Sequence, residues 1–130
     1  MKKWTTRPET ALPEVARGEI WLVNFEPQTH KEEPGKRERP ALVIQTDLLN
    51  KAGHKSTLVI PGTTQVYRDE KGDGFPLRVP IGAITGKDTD LLIDQIRAIS
   101  NSRFMGTSAI ATLSLQHMKR VEDAVKIILR

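Results

Sequence analysis

The strongest constraint on the fold of this chain is a pair of short apolar runs with polar residues at their ends. Residues 40–44 and 58–60 are too short for helices and are typical of buried strands. A basic loop precedes the first run, and the turn Pro-Gly-Thr-Thr-Gln at residues 61–65 follows the second. Because strands fix side chains more firmly than loops do, an arginine and two hydroxyls placed in this way suit a phosphate site.

The rest of the chain predicts more short strands. Strands are expected at residues 17–25, 39–45 and 57–60, with Pro61-Gly62 ending the third. Residues 75–81 alternate apolar and polar side chains, and their prolines favour an edge strand. Two shorter strands, or one with a break at Asp94-Gln95, are expected within the ranges 90–93 and 95–99, and a short helix is possible within 101–112.

One helical turn is possible around Leu48-Leu49, and a long helix is predicted at the C-terminal end. Ser114 is suited to be its N-cap, and apolar residues then recur at helical spacing: Leu115, Met118, Val121, Val125, Ile128 and Leu129. Many short strands followed by one amphipathic helix predict a mainly β protein, with a small, strongly bent antiparallel sheet or barrel.

Length and composition limit the domain organisation and the classes of protein and site that are compatible with this chain. The chain has 130 residues, enough for one core, so we expect a flexible N-terminal extension at residues 1–16 and a single domain at 17–130. Without cysteines there is no disulfide or thiolate metal site, and the three histidines show no ligand pairing, so we expect no metal and no cofactor. No apolar run approaches the roughly 18 residues of a membrane span, and we expect a cytoplasmic protein. The net charge of +4 is compatible with a nucleic-acid partner, but small proteins are often basic for solubility.

Residues 28–38 form a long loop with charges of both signs. Arg37 in this loop and Arg39 just after it could bind a phosphodiester with paired donors. The hydroxyls of Thr63 and Thr64 could add further donors, and a glutamate could move a proton. The alternative is a solvated surface loop, and composition does not decide between the two.

Six segments in order resemble one family. RGEIWLVNFEP, a polar loop ending in Arg-Pro, ALVIQ, LVIPGTTQ, FPLRV and DQIRAIS are together similar to the MazF/PemK/Kid toxins of type II toxin–antitoxin systems. The resemblance implies an SH3-like small barrel of the MazF/CcdB type with a C-terminal helix, forming a homodimer. It also implies a metal-independent, sequence-specific endoribonuclease that cuts single-stranded mRNA by 2′-hydroxyl attack, leaving 2′,3′-cyclic phosphate and 5′-hydroxyl ends and so inhibiting translation and growth. The implied partner is a MazE-like antitoxin with an acidic, partly disordered segment.

The resemblance also implies which residues act. Arg39 matches the catalytic arginine, Thr63 matches the first hydroxyl of the turn that holds the scissile phosphate, and Glu32 is the best match to the general base. The longer loop of this chain leaves Glu33 as an alternative to Glu32. Leu92 stands where Kid-like members carry a second arginine, so the chain is more similar to the MazF branch. The expected RNA-binding residues are Lys31, Glu33, Lys36, Arg37, Thr64, Gln65, Phe75 and Gln95.

Two other functions are compatible with the same fold. One is a gyrase-binding toxin of the CcdB type, which acts through the end of its C-terminal helix and cuts no RNA. The other is an inactive barrel that binds RNA or protein. The presence of Arg39 and Thr63, and a C-terminus without an aromatic residue, favour the nuclease.

Overall fold

The computed structural model describes residues 12–25, 38–72, 74 and 76–130. In these ranges the chain is mainly β, with a helix at the C-terminal end, and this prediction is confirmed. The elements are β1 (Glu19–Asn24), β2 (Glu38–Val43), α1 (Asp47–Lys51), β3 (Ser56–Thr63), β4 (Arg78–Gly82), β5 (Thr89–Leu92), β6 (Arg97–Ser100), β7 (Phe104–Met105), β8 (Ala111–Thr112) and α2 (Leu115–Ile128).

Strand β3 connects the two halves of the sheet. Its first residues pair with β6, its middle residues with β2 and its last two residues with β5, all antiparallel. The sheet order is β4-β5-β3-β2-β1-β7, and β8 pairs with β1. Because β3 has different neighbours at its two ends, the sheet curls into a half-barrel, in agreement with the predicted small barrel. Strand β4 lies at the edge, as its prolines predicted.

The predicted end of β3 at Pro61-Gly62 is wrong, because the strand continues to Thr63. Pro61 lies opposite Ala41 in the ladder with β2, and Gly62 lies opposite Leu91 of β5. A Cβ at Gly62 would lie 2.9 Å from Cγ2 of Thr89, so only a glycine lets the strand pass this close to β5. Pro61 and Gly62 therefore mark the point where the neighbour of β3 changes from β2 to β5, and Thr63 is still a residue of β3.

Apolar side chains cover both faces of the central strands. On one face Ile20, Leu42 and Ile60 pack with Met118 and Val121 of α2. On the other face a second cluster includes Val15, Trp21, Val23, Ala41, Val43, Val59 and Phe104. In this second cluster the rings of Trp21 and Phe104 meet edge to face, with centroids 5.7 Å apart. Burial on both faces explains why these strands read as nearly continuous apolar runs.

Helix α2 begins where the sequence predicted. The Ser114 hydroxyl accepts a hydrogen bond from the backbone N–H of His117 at 3.1 Å, as an N-cap does. The predicted apolar face is only partly correct, because Leu115 and Leu129 are exposed. The sheet buries Met118 and Val121, and Val125 and Ile128 pack against the same cluster, so only Leu115 and Leu129 of the predicted face are exposed.

Two less certain segments are now defined. The break expected at Asp94-Gln95 is a turn of 3-10 helix, Ile93–Gln95, between β5 and β6. The range 101–112 contains a turn of 3-10 helix, Asn101–Arg103, and the short strands β7 and β8. Most of the expected extension lies outside the described residues, and Val15 near its end is buried in the second cluster. No helix among the described residues is long and apolar enough to cross a membrane.

Candidate active site

The ladder between β2 and β3 brings Arg39 and Thr63 together. It pairs Val43 with Val59, Leu42 with Ile60 and Ala41 with Pro61. The paired residues end there, and continuing the same register by two residues sets Arg39 opposite Thr63. The two strands are still adjacent there, since a Cβ at Gly62 would lie 3.3 Å from the carbonyl oxygen of Pro40. The two residues singled out by the sequence therefore lie at the same end of neighbouring strands.

Asp90 extends this pair into a row across three strands. Strand β5 places Asp90 directly opposite Thr63, and side chains opposite each other in a ladder point to the same face. The face is that of Ala41 and Val43, which belong to the second apolar cluster. All three polar residues are buried, with relative exposures of 4% for Arg39, 2% for Thr63 and 0% for Asp90. Below we call Arg39, Thr63 and Asp90 the polar row.

A second arginine lies close to Arg39. Cζ of Arg39 is 5.2 Å from the centroid of the Phe25 ring, and Cζ of Arg97 is 5.4 Å from the same centroid. Arg97 reaches this position because it pairs with Val59, a residue of the same face as the polar row. Both guanidinium groups are within cation–π distance of one buried ring, which concentrates positive charge beside the row. Sequence analysis assigned no role to Arg97, which appears there only within the segment DQIRAIS.

Thr63 also shapes the turn that follows it. Its hydroxyl oxygen accepts a hydrogen bond from the backbone N–H of Gln65 at 3.0 Å, which fixes the chain as it leaves β3. The hydroxyl retains a proton that it can donate to an oxyanion. Thr64 is half-buried and Gln65 is exposed beside it.

The carboxylate of Asp90 is held by Arg68 from the loop between β3 and β4. Nη1 and Nη2 of Arg68 donate to the two carboxylate oxygens of Asp90 at 2.8 and 2.9 Å. This hydrogen-bonded pairing raises the pKa of Arg68 above its usual value. Sequence reasoning identified neither residue, because the segment 67–74 reads as an ordinary charged turn and nothing in it points to a strand residue far along the chain.

The other expected site residues lie in two places. Gln95 is half-buried in the 3-10 turn that precedes β6, the strand of Arg97. Lys31, Glu32, Glu33, Lys36, Arg37 and Phe75 lie outside the described residues. The described ladder of β1 and β2 ends with Asn24 opposite Glu38, so the chain leaves and rejoins the sheet next to Arg39. No group of three His, Cys, Asp or Glu side chains that could hold a metal ion occurs in the described part of the chain.

The fold is that of solved MazF toxins. A MazF structure from Deinococcus radiodurans is 25% identical to this chain, has a TM-score of 0.68, and the match covers 92% of this chain and 97% of that one. A MazE–MazF complex from the same organism is 23% identical, with a TM-score of 0.68 and coverage of 89% and 96%. The Mycobacterium tuberculosis toxin MazF-mt6 is 17% identical, with a TM-score of 0.65 and coverage of 85% and 95%.

The family is shown by the sequence itself. Among curated proteins, none is similar enough in sequence to be matched to this chain. The model of the PemK-like, MazF-like toxins of type II toxin–antitoxin systems matches residues 16–129, nearly the whole chain. With six family segments in order, the half-barrel with its C-terminal helix, and this match, the chain belongs to the PemK-like, MazF-like family of type II toxin–antitoxin toxins.

Proposed function

We propose that this toxin is a metal-independent endoribonuclease that cuts single-stranded RNA in a sequence-specific way, and so inhibits translation and growth in the cytoplasm. The observation that carries the proposal is the approach of Arg39 and Thr63 at the same end of paired strands β2 and β3. A cation and a hydroxyl on a rigid sheet are suited to hold a phosphodiester, since strands keep both donors in place.

The proposed reaction needs charge stabilisation and proton transfer. The 2′-oxygen attacks the adjacent phosphorus, the bond from phosphorus to the 5′-oxygen breaks, and the products are a 2′,3′-cyclic phosphate and a 5′-hydroxyl. Arg39 is buried, so its charge acts strongly on the negative charge that develops on the phosphate oxygens. Thr63 donates a hydrogen bond to one of these oxygens. Glu32, with Glu33 as the alternative, accepts the 2′-hydroxyl proton. Water supplies a proton to the leaving 5′-oxygen, and Arg39 assists this transfer.

RNA would be bound along the same end of the sheet. The proposed contacts are Arg97 from the structure and, from the sequence, Lys31, Glu33, Lys36, Arg37, Thr64, Gln65, Phe75 and Gln95. Positive side chains neutralise phosphates, whereas base recognition depends on stacking and hydrogen-bonding edges.

Two protein partners complete the proposal. The first is a MazE-like antitoxin that covers the RNA groove with an acidic, partly disordered segment; one similar solved structure is a MazE–MazF complex, and the net charge of this chain is +4. The second is another copy of this chain. Apolar side chains exposed on α2, namely Leu115, Ile127 and Leu129, supply surface that a homodimer would bury.

Incubation of the wild-type protein with a long transcript in EDTA tests the proposal. We expect cuts at one short sequence, with 5′ ends that a polynucleotide kinase labels without prior phosphatase treatment. Arg39→Ala is expected to stop cleavage, whereas Arg120→Ala, which removes an exposed arginine of α2, is expected to leave it unchanged. A folded wild-type protein that leaves the transcript intact would overturn the nuclease proposal and favour a gyrase-binding toxin or an inactive barrel.

A further inference from the structure

We infer that Tyr67 is a base-stacking residue that determines which RNA sequence is cut, and that the Arg68–Asp90 ion pair holds it beside the polar row. The inference rests on the proposed nuclease function and assigns a role to a loop that the resemblance leaves open. Tyr67 is the reading residue, and Arg68 and Asp90 are positioning residues.

Tyr67 differs from the other described aromatic residues in its exposure. Trp21, Phe25 and Phe104 are buried in the second apolar cluster, whereas Tyr67 is 45% exposed. Unpaired bases stack readily on exposed aromatic rings, and this is a principal way in which proteins bind single-stranded RNA. Of the aromatic side chains that the structure describes, that of Tyr67 is the most exposed to solvent.

The ion pair fixes the backbone of Tyr67 directly. Nη1 of Arg68, which donates to Asp90, also donates to the carbonyl oxygen of Tyr67 at 2.7 Å. The other side of the loop packs on the same group, because a Cβ at Gly74 would lie 3.2 Å from Nη1 of Arg68 and 3.4 Å from the Tyr67 carbonyl oxygen. Both sides of the loop therefore meet at one guanidinium group.

The anchor of this clamp, the Asp90 carboxylate, is buried. The Asp90 side chain is 1% exposed, while that of Arg68 is 34% exposed, so the strand holds the carboxylate and the loop closes onto it. Release of Arg68 would leave a buried carboxylate without its counter-charge, which is strongly unfavourable. Because the backbone of Tyr67 is already held, the loop loses less conformational freedom when a base binds, so the clamp favours tight and selective stacking.

The clamp also lies next to the proposed phosphate position. Asp90 is the direct ladder partner of Thr63, and neighbouring strands lie about 4.8 Å apart, so the strand that carries the ion pair is next to that of Thr63. A nucleotide whose phosphate is held by Arg39 and Thr63 would bring a neighbouring base to this loop. Stacking at Tyr67 would then select the base beside the cut.

Steady-state cleavage of one transcript by variants of the full chain tests this inference. We expect Tyr67→Ala to raise KM by roughly ten- to a hundredfold with a much smaller change in kcat, and to relax the choice of one base beside the cut. Tyr67→Phe, which keeps the aromatic ring, should have the KM and the base preference of the wild type. Arg120→Ala serves as the matched control for a change on the exposed surface.

The role of the ion pair needs a variant that removes both charges. Arg68→Ala with Asp90→Ala leaves no unpaired carboxylate, and circular dichroism would verify its fold. We expect it to relax the same base preference as Tyr67→Ala, and the combination of all three changes to add nothing further. Independent, additive effects would overturn the positioning role.

The two proposals fail in different ways. If the wild-type protein cuts RNA while Tyr67→Ala keeps its KM and its cleaved sequence, the stacking role is overturned and the nuclease stands. If the folded wild-type protein cuts no RNA, the nuclease proposal falls, and with it the inference.

Discussion

The two ends of β3 each bury a threonine, and the neighbours of the two hydroxyls differ. The comparison distinguishes Thr57, which supports the fold, from Thr63, which we propose acts on RNA. At the first end the Thr57 hydroxyl donates to the side-chain oxygen of Asn101 at 2.5 Å, and Asn101 donates to the carbonyl of His54 at 2.9 Å. At the other end Thr63 lies between Arg39 and Asp90 in the polar row. Both hydroxyls are almost fully buried. Burial of a hydroxyl therefore does not distinguish the two threonines. Thr63 is the candidate for a phosphate site because it has charged neighbours on the same face of the sheet.

Uncharged polar side chains also surround the Thr57 end of β3. The side-chain amide of Gln45 donates to Asn50 and accepts from the backbone of Leu58, which joins α1 to β3. These polar groups satisfy one another within the protein, as structural networks do. The polar row, in contrast, presents a hydroxyl and a guanidinium to the end of the sheet where the chain between Asn24 and Glu38 leaves and returns.

The largest expected effect is at Arg39. Replacement by alanine removes the cation from a buried position, and we expect kcat to fall by about a hundred- to a thousandfold, as for a lost oxyanion donor. Arg39→Lys should recover only part of this loss, because lysine does not present a paired fork of donors. Single-turnover cleavage of a short RNA measures the rates. Rates in Arg39→Ala within a factor of two of the wild type would remove Arg39 from the mechanism.

Arg68→Ala is expected to have the next largest effect, on stability. It leaves the buried Asp90 carboxylate without its counter-charge, so we expect a lower free energy of unfolding and a lower urea midpoint. The double variant with Asp90→Ala should recover much of this loss. Urea denaturation measures both, and a single variant as stable as the wild type would show that the ion pair is not a stable clamp.

The two threonines should differ in stability as well. Thr57→Val leaves the side-chain oxygen of Asn101 without its buried donor, and we expect a loss of about 1–3 kcal/mol. Thr63→Val loses one acceptor for the backbone of Gln65 beside an exposed loop, so we expect a smaller loss, of about 1 kcal/mol or less. Equal losses in urea denaturation would contradict the distinction between the two ends of β3.

The smallest expected effect is the contribution of Asp47, in α1, to stability as the pH changes. The backbone N–H of Arg17 and the side chain of Asn50 donate to Asp47 and lower its pKa below the usual 3.8. At neutral pH the Asp47 carboxylate is charged in both the folded and the unfolded protein. Its stabilising effect is therefore present above pH 3.8, and it is lost as the pH falls through the lower pKa of the folded state. Asp47→Asn should lower stability slightly at pH 7 and reduce its decline in acid. Thermal unfolding at a series of pH values measures this.

Much of the fold follows from local patterns. The apolar runs of β2 and β3 and the N-cap of α2 were recognisable because side-chain periodicity and capping act over a few residues. The continuation of β3 through Pro61 and Gly62 was not, because it depends on which strands lie beside them. Leu115 fits the helical period but lies where the sheet does not reach.

The candidate site was only partly predictable. Arg39 and Thr63 came from the resemblance, and the register then placed them opposite each other. Arg97 and the Arg68–Asp90 pair came only from the structure, because strand pairing and loop closure bring together residues that are far apart in the sequence. Local sequence patterns carry no information about such contacts.

The central claim, that the hydroxyl at the Thr63 end acts on RNA while the one at the Thr57 end supports the fold, can be tested directly. The measurement is the cleavage rate of one transcript in EDTA by the wild type, Thr63→Val and Thr57→Val, at a temperature where all three are folded. We predict that Thr57→Val cuts the same sequence at nearly the wild-type rate and that Thr63→Val is slower by at least about tenfold. A Thr63→Val variant that cuts as fast as the wild type would contradict the account.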